Sequence, residues 1–254
     1  MALFISFEGG EGSGKSTQAG RLHRALSETG VSTLLIHEPG TTRLGLHIRQ
    51  LIKSRPWGED IISPIAELFL FSASRAELVE KTLKPEMDRS QLVVIADRYV
   101  HSTVAYQGYG RGIRIELIDA INELACQDVM PDVSFLLDCD PADGLKRVES
   151  QAHLFDSVRA VRSDADGSRR FEEEPIDFHR RIRRGYLKLA KDKPEKWIVL
   201  DAMDDPDVIF EQIWNAVQGM EKLKTVPRQM SLLPPVMSAS DDSLPEHTDM
   251  ARLI

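Results

Sequence analysis

Short apolar runs alternate with longer amphipathic ones along most of this chain. The runs at 3–7, 33–37, 92–96, 133–137 and 197–200 have the length of buried strands and are rich in Val, Ile, Leu and Phe. Between them, helical periodicity covers about 15–29, 44–53, 64–88, 115–126, 141–149, 173–191 and 206–222. In the first of these, Ala19, Leu22 and Leu26 share a face and Gly30 stands just past the end. Pro64 follows Ser63 as an N1 proline follows an N-cap, which sets the start of the third helix. Alternation of this kind predicts an α/β fold in three layers, with a five-stranded parallel sheet and helices on both faces. Beyond about 224 both periods stop. The segment 227–254 is rich in Pro, Ser and Asp and reads as a flexible tail, so one domain over 1–222 and a tail over 223–254 are expected.

Composition narrows the class. The chain has 254 residues, 42% hydrophobic and 28% charged, as expected of an ordinary globular protein. A formal net charge of -8 argues against non-specific nucleic-acid binding, which needs a basic face. Cys126 and Cys139 imply no disulfide framework, which fits a reducing cytoplasm. The N-terminus has no basic leader, Glu8 interrupts its apolar run, and no run is long enough to span a bilayer.

The chemistry collects at the carboxyl ends of the predicted strands, where open α/β sheets bind their ligands. The first strand runs into Gly9-Gly10-Glu11-Gly12-Ser13-Gly14-Lys15-Ser16-Thr17, which fits G-x-x-x-x-G-K-[ST] and leads into a helix. Glycines at these places let backbone N–H groups wrap a polyphosphate, and the helix N-terminus adds a favourable dipole. Lys15 is placed to reach the β and γ phosphates and the Ser16 hydroxyl to ligate Mg²⁺. The other strands end in Glu38-Pro39-Gly40, Asp97-Arg98-Tyr99 and Asp138. Asp97 suits Mg²⁺ or its water shell, and Arg98 can bridge phosphates with its planar fork.

Two weaker signals accompany these. Phe71 and Arg75 stand at i and i+4 on the third helix, a ring beside a guanidinium that suits a planar base. Spacing alone equally allows a core Phe71 and a surface Arg75. The polar run from Asp97 to Gly108 could read a sugar or base edge, or be a hydrogen-bonded loop. Around 150–170, Arg159, Arg162, Arg169 and Arg170 stand in a low-hydrophobicity segment that reads as a mobile lid carrying an arginine finger, with a solvated charged loop as the alternative.

The chain resembles the bacterial dTMP kinase (thymidylate kinase) family over about 3–220. The matching residues are Phe7-Glu8 through Thr17-Gln18, Glu38-Pro39-Gly40-Thr41-Thr42, Leu70-Phe71-Ser72-Ala73-Ser74-Arg75-Ala76, the Asp97–Gly108 run, Leu136 to Pro141, and Arg170-Phe171-Glu172 followed by Asp177-Phe178-His179. The resemblance implies a P-loop NTPase fold with a lid at about 150–172. It implies phosphoryl transfer from Mg·ATP to dTMP, giving dTDP for dTTP synthesis. It gives Lys15, Ser16 and the loop from Gly9 to Thr17 to ATP and Mg²⁺, and Glu11 to the acceptor 3′-hydroxyl. It gives Phe71 to stacking on thymine, Arg75 and Gln107 to its edge, and Arg98 to the acceptor phosphate. Glu38, Arg49, Thr103 and Tyr106 fall at acceptor-pocket positions. The phosphate loop has no arginine between Gly10 and Lys15, which resembles the subtype whose catalytic arginine comes from the lid, and Arg170 has the best-matched context. A homodimer is also implied.

The chain departs from the family pattern at Thr41, where a second glycine is usual, and at Glu77-Leu78, where Gln-His is usual. Within enzymes the alternative is another nucleoside monophosphate or deoxynucleoside kinase. A nucleotide-dependent switch is the alternative outside them, but the Asn-Lys-x-Asp guanine-reading motif is absent and a second pocket would be idle. In the tail, Gln229-Met230-Ser231-Leu232-Leu233 resembles the short peptides that partners of the bacterial replication clamp present.

Overall fold

A computed structural model describes residues 2–53, 62–88, 92–158 and 170–226. Its elements are β1 (Leu3–Glu8), α1 (Lys15–Glu28), β2 (Thr33–His37), α2 (Arg43–Lys53), α3 (Pro64–Leu78), α4 (Lys84–Asp88), β3 (Val93–Asp97), α5 (Val100–Thr103), α6 (Ile115–Cys126), β4 (Val133–Asp138), α7 (Pro141–Val158), α8 (Ile176–Asp192), β5 (Trp197–Asp201), α9 (Pro206–Gln218) and α10 (Glu221–Lys224). The strands form one five-stranded sheet in the order β2-β3-β1-β4-β5. Every pairing is parallel, with Ile5 opposite Ile95 on one side and Val133 on the other. The expected fold class and all five strands are therefore present.

Alternation along β1 sends its side chains to two different layers. Leu3, Ile5 and Phe7 pack with Leu22 and Leu26 of α1 and Ile209 and Ile213 of α9. Phe4 points the other way, against Leu78, Val79 and Tyr99. Burial on both faces explains why the strands read as continuous apolar runs. A third group, around Phe178, Ile182 and Tyr186 of α8, covers the β4–β5 side.

The structure corrects several expectations. The helix expected over 64–88 is broken by a wide π-type turn, Val79–Leu83, between α3 and α4. Pro85 is the cause: it has no N–H for the carbonyl four residues back, and its ring crowds that turn. The run after Asp97, open between site and loop in the sequence, is helical, as α5 followed by a π-type segment Val104–Gly110. α7 extends to Val158, so the first part of the expected lid is helix. Arg159, Arg162 and Arg169 lie outside the described residues, as does the whole 227–254 segment with its Gln229–Leu233 peptide. Leu223 and Val226 are buried in the core under α1, so packing continues past the expected boundary at 222.

Phe135 of β4 is fully buried and stacks on Phe7, ring centroids 5.3 Å apart. Phe135→Ala is expected to lower the unfolding free energy by about 3–5 kcal/mol. Urea unfolding checks this, and a loss below about 1 kcal/mol would place the packing centre elsewhere.

Candidate active site

Adjacent β1 and β3 deliver the phosphate loop and Asp97-Arg98 to one edge of the sheet. α1 begins at Lys15 with no side chain capping its N-terminus, as an anion site requires. The loop is held from above by α7. Gly12, at φ +70°, and Gly144 meet so closely that a Cβ on Gly12 would stand 1.9 Å from the Gly144 carbonyl oxygen. Gly144 had no signal in the sequence, because the contact joins segments far apart in the chain.

A cleft of about 650 Å³ opens at this edge. Its wall includes Glu11, Gly12, Gly14, Lys15, Ser16 and Thr17 from the loop and helix start. It also includes Glu38, Arg49, Phe71, Arg75, Asp97, Arg98, Thr103, Tyr106 and Gln107. Gly9, Gly10 and Ser13 support the loop from behind: Ser13 Oγ donates to the Gly10 carbonyl at 3.0 Å, and Arg98 Nη1 donates to the Gly9 carbonyl at 3.0 Å.

At the loop end, Lys15 Nζ donates to the Gly10 carbonyl at 2.5 Å and to Ser13 Oγ at 3.0 Å. Burial, with the nearby Arg98 charge, lowers its pKa to about 8, so it stays cationic at neutral pH. Ser16 Oγ donates to Asp97 Oδ2 at 2.5 Å. Burial raises the Asp97 pKa, but the hydrogen bonds from His37 and Ser16 outweigh it and hold the carboxyl at about 2. The pair is an anionic, oxygen-only donor set of the kind a hard divalent cation takes alongside phosphates.

In the middle, Arg98 sits at φ +70°, a left-handed conformation unusual for a residue with a side chain. That backbone turn aims its guanidinium across the cleft floor. Nη2 donates to Glu11 Oε1 at 2.9 Å, and the guanidinium lies 4.9 Å over the Tyr106 ring. The Tyr106 hydroxyl donates to the same Glu11 oxygen at 2.6 Å. Burial raises the Glu11 pKa, but the Arg98 and Lys15 charges and the Tyr106 hydrogen bond hold it near 2.

At the far end, Phe71 tilts against Phe171 at 6.3 Å, and Tyr106 meets Phe171 edge-on at 5.7 Å. Phe171 is a wall residue that the pattern alone did not single out. Arg75 is fully buried rather than on the surface. Its Nε and Nη2 donate to Glu38 Oε2 at 2.9 and 2.7 Å, and Nη1 donates to Asn122 Oδ1 at 2.9 Å. Burial raises the Glu38 pKa against the Arg75 charge, and Glu38 Oε1 has no hydrogen-bond partner among the described residues. Arg49 Nη1 donates to the Pro39 carbonyl at 3.0 Å. At Thr41, where the family pattern has a second glycine, the hydroxyl accepts from the His37 N–H at 2.8 Å and donates to the His37 carbonyl at 3.0 Å.

Two strand-end acids and one arginine are placed differently from the simple picture of a loaded sheet edge. Asp138 is held by Arg183 at 2.8 and 2.9 Å and is not part of the cleft wall. Glu8 is fully buried beneath the site. Arg170 is not in the wall either; its Nη2 donates to Glu67 Oε2 at 2.6 Å, and its neighbours Phe171 and Glu172 face the cleft.

The comparisons with known proteins agree with this geometry. The family model described as Thymidylate kinase matches residues 7–213. The chain belongs to the thymidylate kinase family. The thymidylate kinase of Solidesulfovibrio magneticus is 42% identical over 215 residues, covering 85% of this chain and 98% of that one. That of Chlorobaculum tepidum is 39% identical over 218 residues, covering 86% and 98%. Among solved structures, thymidylate kinase from Ehrlichia chaffeensis aligns with a TM-score of 0.64 and 32% identity over 85% of this chain and 99% of that one.

Beneath the cleft lies a buried polar network that the sequence did not disclose. Glu8 accepts from the Tyr99 N–H at 3.0 Å, from Ser102 Oγ at 2.7 Å and from the Tyr186 hydroxyl at 3.1 Å. Burial pushes its pKa up to about 7, against those hydrogen bonds and the Arg98 charge. The folded protein thus holds the Glu8 proton more tightly than the unfolded chain, where the value is near 4.5. This contribution to stability is complete below pH 4.5 and is lost as the pH rises through about 7. The lowered values of Glu11 and Asp97 act below that window. Between pH 4.5 and 7, the unfolding free energy of the wild type should fall relative to that of Glu8→Gln, by up to about 1.4 kcal/mol per pH unit. Urea titrations of both proteins across this range measure it. A difference that is flat or rises with pH would contradict the buried-proton account.

Proposed function

We propose that this protein phosphorylates dTMP to dTDP with Mg·ATP as donor, for dTTP synthesis. The observation that carries this reading is one cleft with two chemically different ends. The loop end offers Lys15 and the α1 N-terminus to a polyphosphate. The other end offers aromatic rings and a deep guanidinium to a base, with Arg98 and Glu11 between them. Phosphoryl transfer needs little covalent chemistry from the protein; positioning and charge stabilisation carry the rate.

In this reading Lys15 binds the β and γ phosphates, and Arg98 holds the acceptor phosphate in line with them. Glu11, anionic at neutral pH, accepts from the sugar 3′-hydroxyl. Phe71 stacks on the base, and Arg75 and Gln107 meet its edge. Ser16 and Asp97 hold Mg²⁺, which supplies neutralisation of phosphate charge. The resemblance assigns the transferring phosphoryl group to Arg170. The Glu67 ion pair instead supports a role for Arg170 in shaping the acceptor end.

ADP release measured with and without dTMP tests the function. A strong dependence on dTMP is expected, and equal rates would refute a kinase reading. Lys15→Ala should lower kcat by at least about a hundredfold with the fold intact. Phe71→Ala should raise KM for dTMP and leave KM for ATP nearly unchanged. A larger change for ATP would reverse the assignment of the two ends.

A homodimer is part of the proposal. Leu46 of α2, Phe69 of α3 and Leu124 of α6 are 50%, 57% and 80% exposed, on helices that pack side by side. Exposed apolar side chains of this size on neighbouring elements suit a subunit interface. Light scattering at micromolar concentration should give twice the chain mass, and Phe69→Glu should give the single mass. A single mass for the wild type would contradict the dimer. No helix among the described residues is long and apolar enough to cross a membrane.

A further inference from the structure

Glu67 of α3 is fully buried, and Arg170 is only one of its partners. It stands one turn before Phe71 and two before Arg75, on the same stripe of the helix. Its carboxylate accepts at both oxygens. Gln107 Nε2 donates to Oε1 at 2.8 Å, and Arg111 Nε to the same oxygen at 3.1 Å. Arg111 Nη2 donates to Oε2 at 3.2 Å, and Arg170 Nη2 to the same oxygen at 2.6 Å. With both oxygens engaged, the carboxylate has no freedom to rotate.

The consequence falls on Gln107. A carboxylate can only accept, so it takes the NH₂ group of the amide and rejects the carbonyl. Gln107 lines the cleft. Holding one N–H of the NH₂ group fixes which end of the amide is nitrogen, so the carbonyl end, turned away from Glu67, is the acceptor the side chain offers a ligand. A pyrimidine carrying N–H at position 3 pairs with that carbonyl. Cytosine presents a lone pair there, and two acceptors facing each other in a buried site are penalised heavily. We propose that Glu67 is a positioning residue for acceptor choice: it fixes the Gln107 amide so that the cleft takes 3-N–H pyrimidine nucleotides and rejects cytidine nucleotides.

The proposal rests on the dTMP reading of the cleft and deepens it. In Glu67→Gln, two guanidinium N–H groups face the former Oε2 position and one the former Oε1 position, so the new carbonyl takes the Oε2 side. The new NH₂ then faces Gln107, whose amide turns over and presents its own NH₂ to the ligand. The wild-type ratio of kcat/KM for dTMP over dCMP should therefore fall by about tenfold or more, with KM for ATP unchanged. In a Gln107→Leu background, the same Glu67→Gln change should leave the ratio as it stands, since the effect passes through that amide. A merely structural Glu67 would lower activity toward both acceptors together and preserve the ratio, and that result would overturn the proposal. If Glu67→Gln does not fold, Glu67→Asp is read instead. It keeps an anion for both arginines but withdraws the acceptor from Gln107 by one methylene; the ratio should again fall, and an unchanged ratio is again contrary. A wild-type enzyme that leaves dTMP untouched would instead take down the functional reading, a failure visible before any variant is made.

Discussion

Taking a guanidinium out of water costs several kcal/mol unless an anion and further acceptors are at hand. That cost organises this cleft. Arg98 is paired with Glu11, Arg75 with Glu38, and Arg111 and Arg170 share Glu67. Each pair also ties segments distant in the chain, so satisfying the charges fixes the site. Arg98 joins the end of β3 to the phosphate loop, and Arg75 joins α3 to the end of β2. Arg170 joins the turn before α8 to α3. Removing Glu38 would leave the Arg75 charge buried and unpaired, which is far costlier than losing a surface salt bridge.

The same pairs make the protein ready for anions. Glu11 is held near a pKa of 2 and Lys15 near 8, so charges of both signs persist in the cleft across the neutral range. A nucleotide phosphate entering here meets cations already aimed by hydrogen bonds, which lowers the reorganisation needed at the moment of reaction. The left-handed turn at Arg98 belongs to this arrangement: Tyr99 N–H is anchored on Glu8 and the Arg98 N–H on the Phe7 carbonyl, so the surroundings over-determine the strained residue.

The features legible in the sequence were those with local causes. Strands buried on both faces announce themselves as apolar runs, and the phosphate loop as glycines at fixed spacing before a helix. The Ser63-Pro64 start of α3 was local too, and Ser63 Oγ accepts from the Ala66 N–H at 3.3 Å. What stayed hidden was set by contacts across the chain. The π-type segment at Val104–Gly110 contains valine and two glycines, poor helix formers that packing against α8 holds in place. Nothing local marks Glu67 or the partners it meets at Gln107, Arg111 and Arg170. Asp138 and Glu8 looked like their neighbours at the strand ends, and only the fold separates a cleft ligand from a buried network. Arg170 had a motif but not a position.

In the proposed function, donor and acceptor occupy one cleft, end to end, across Arg98. The most direct test of this arrangement is equilibrium binding of a single molecule in which adenosine and thymidine are joined 5′ to 5′ through a polyphosphate long enough to fill both ends. One molecule should bind per chain, displaced by ATP and equally by dTMP, with binding lost in both Lys15→Ala and Phe71→Ala. Displacement by only one of the two nucleotides, or two molecules bound per chain, would contradict it.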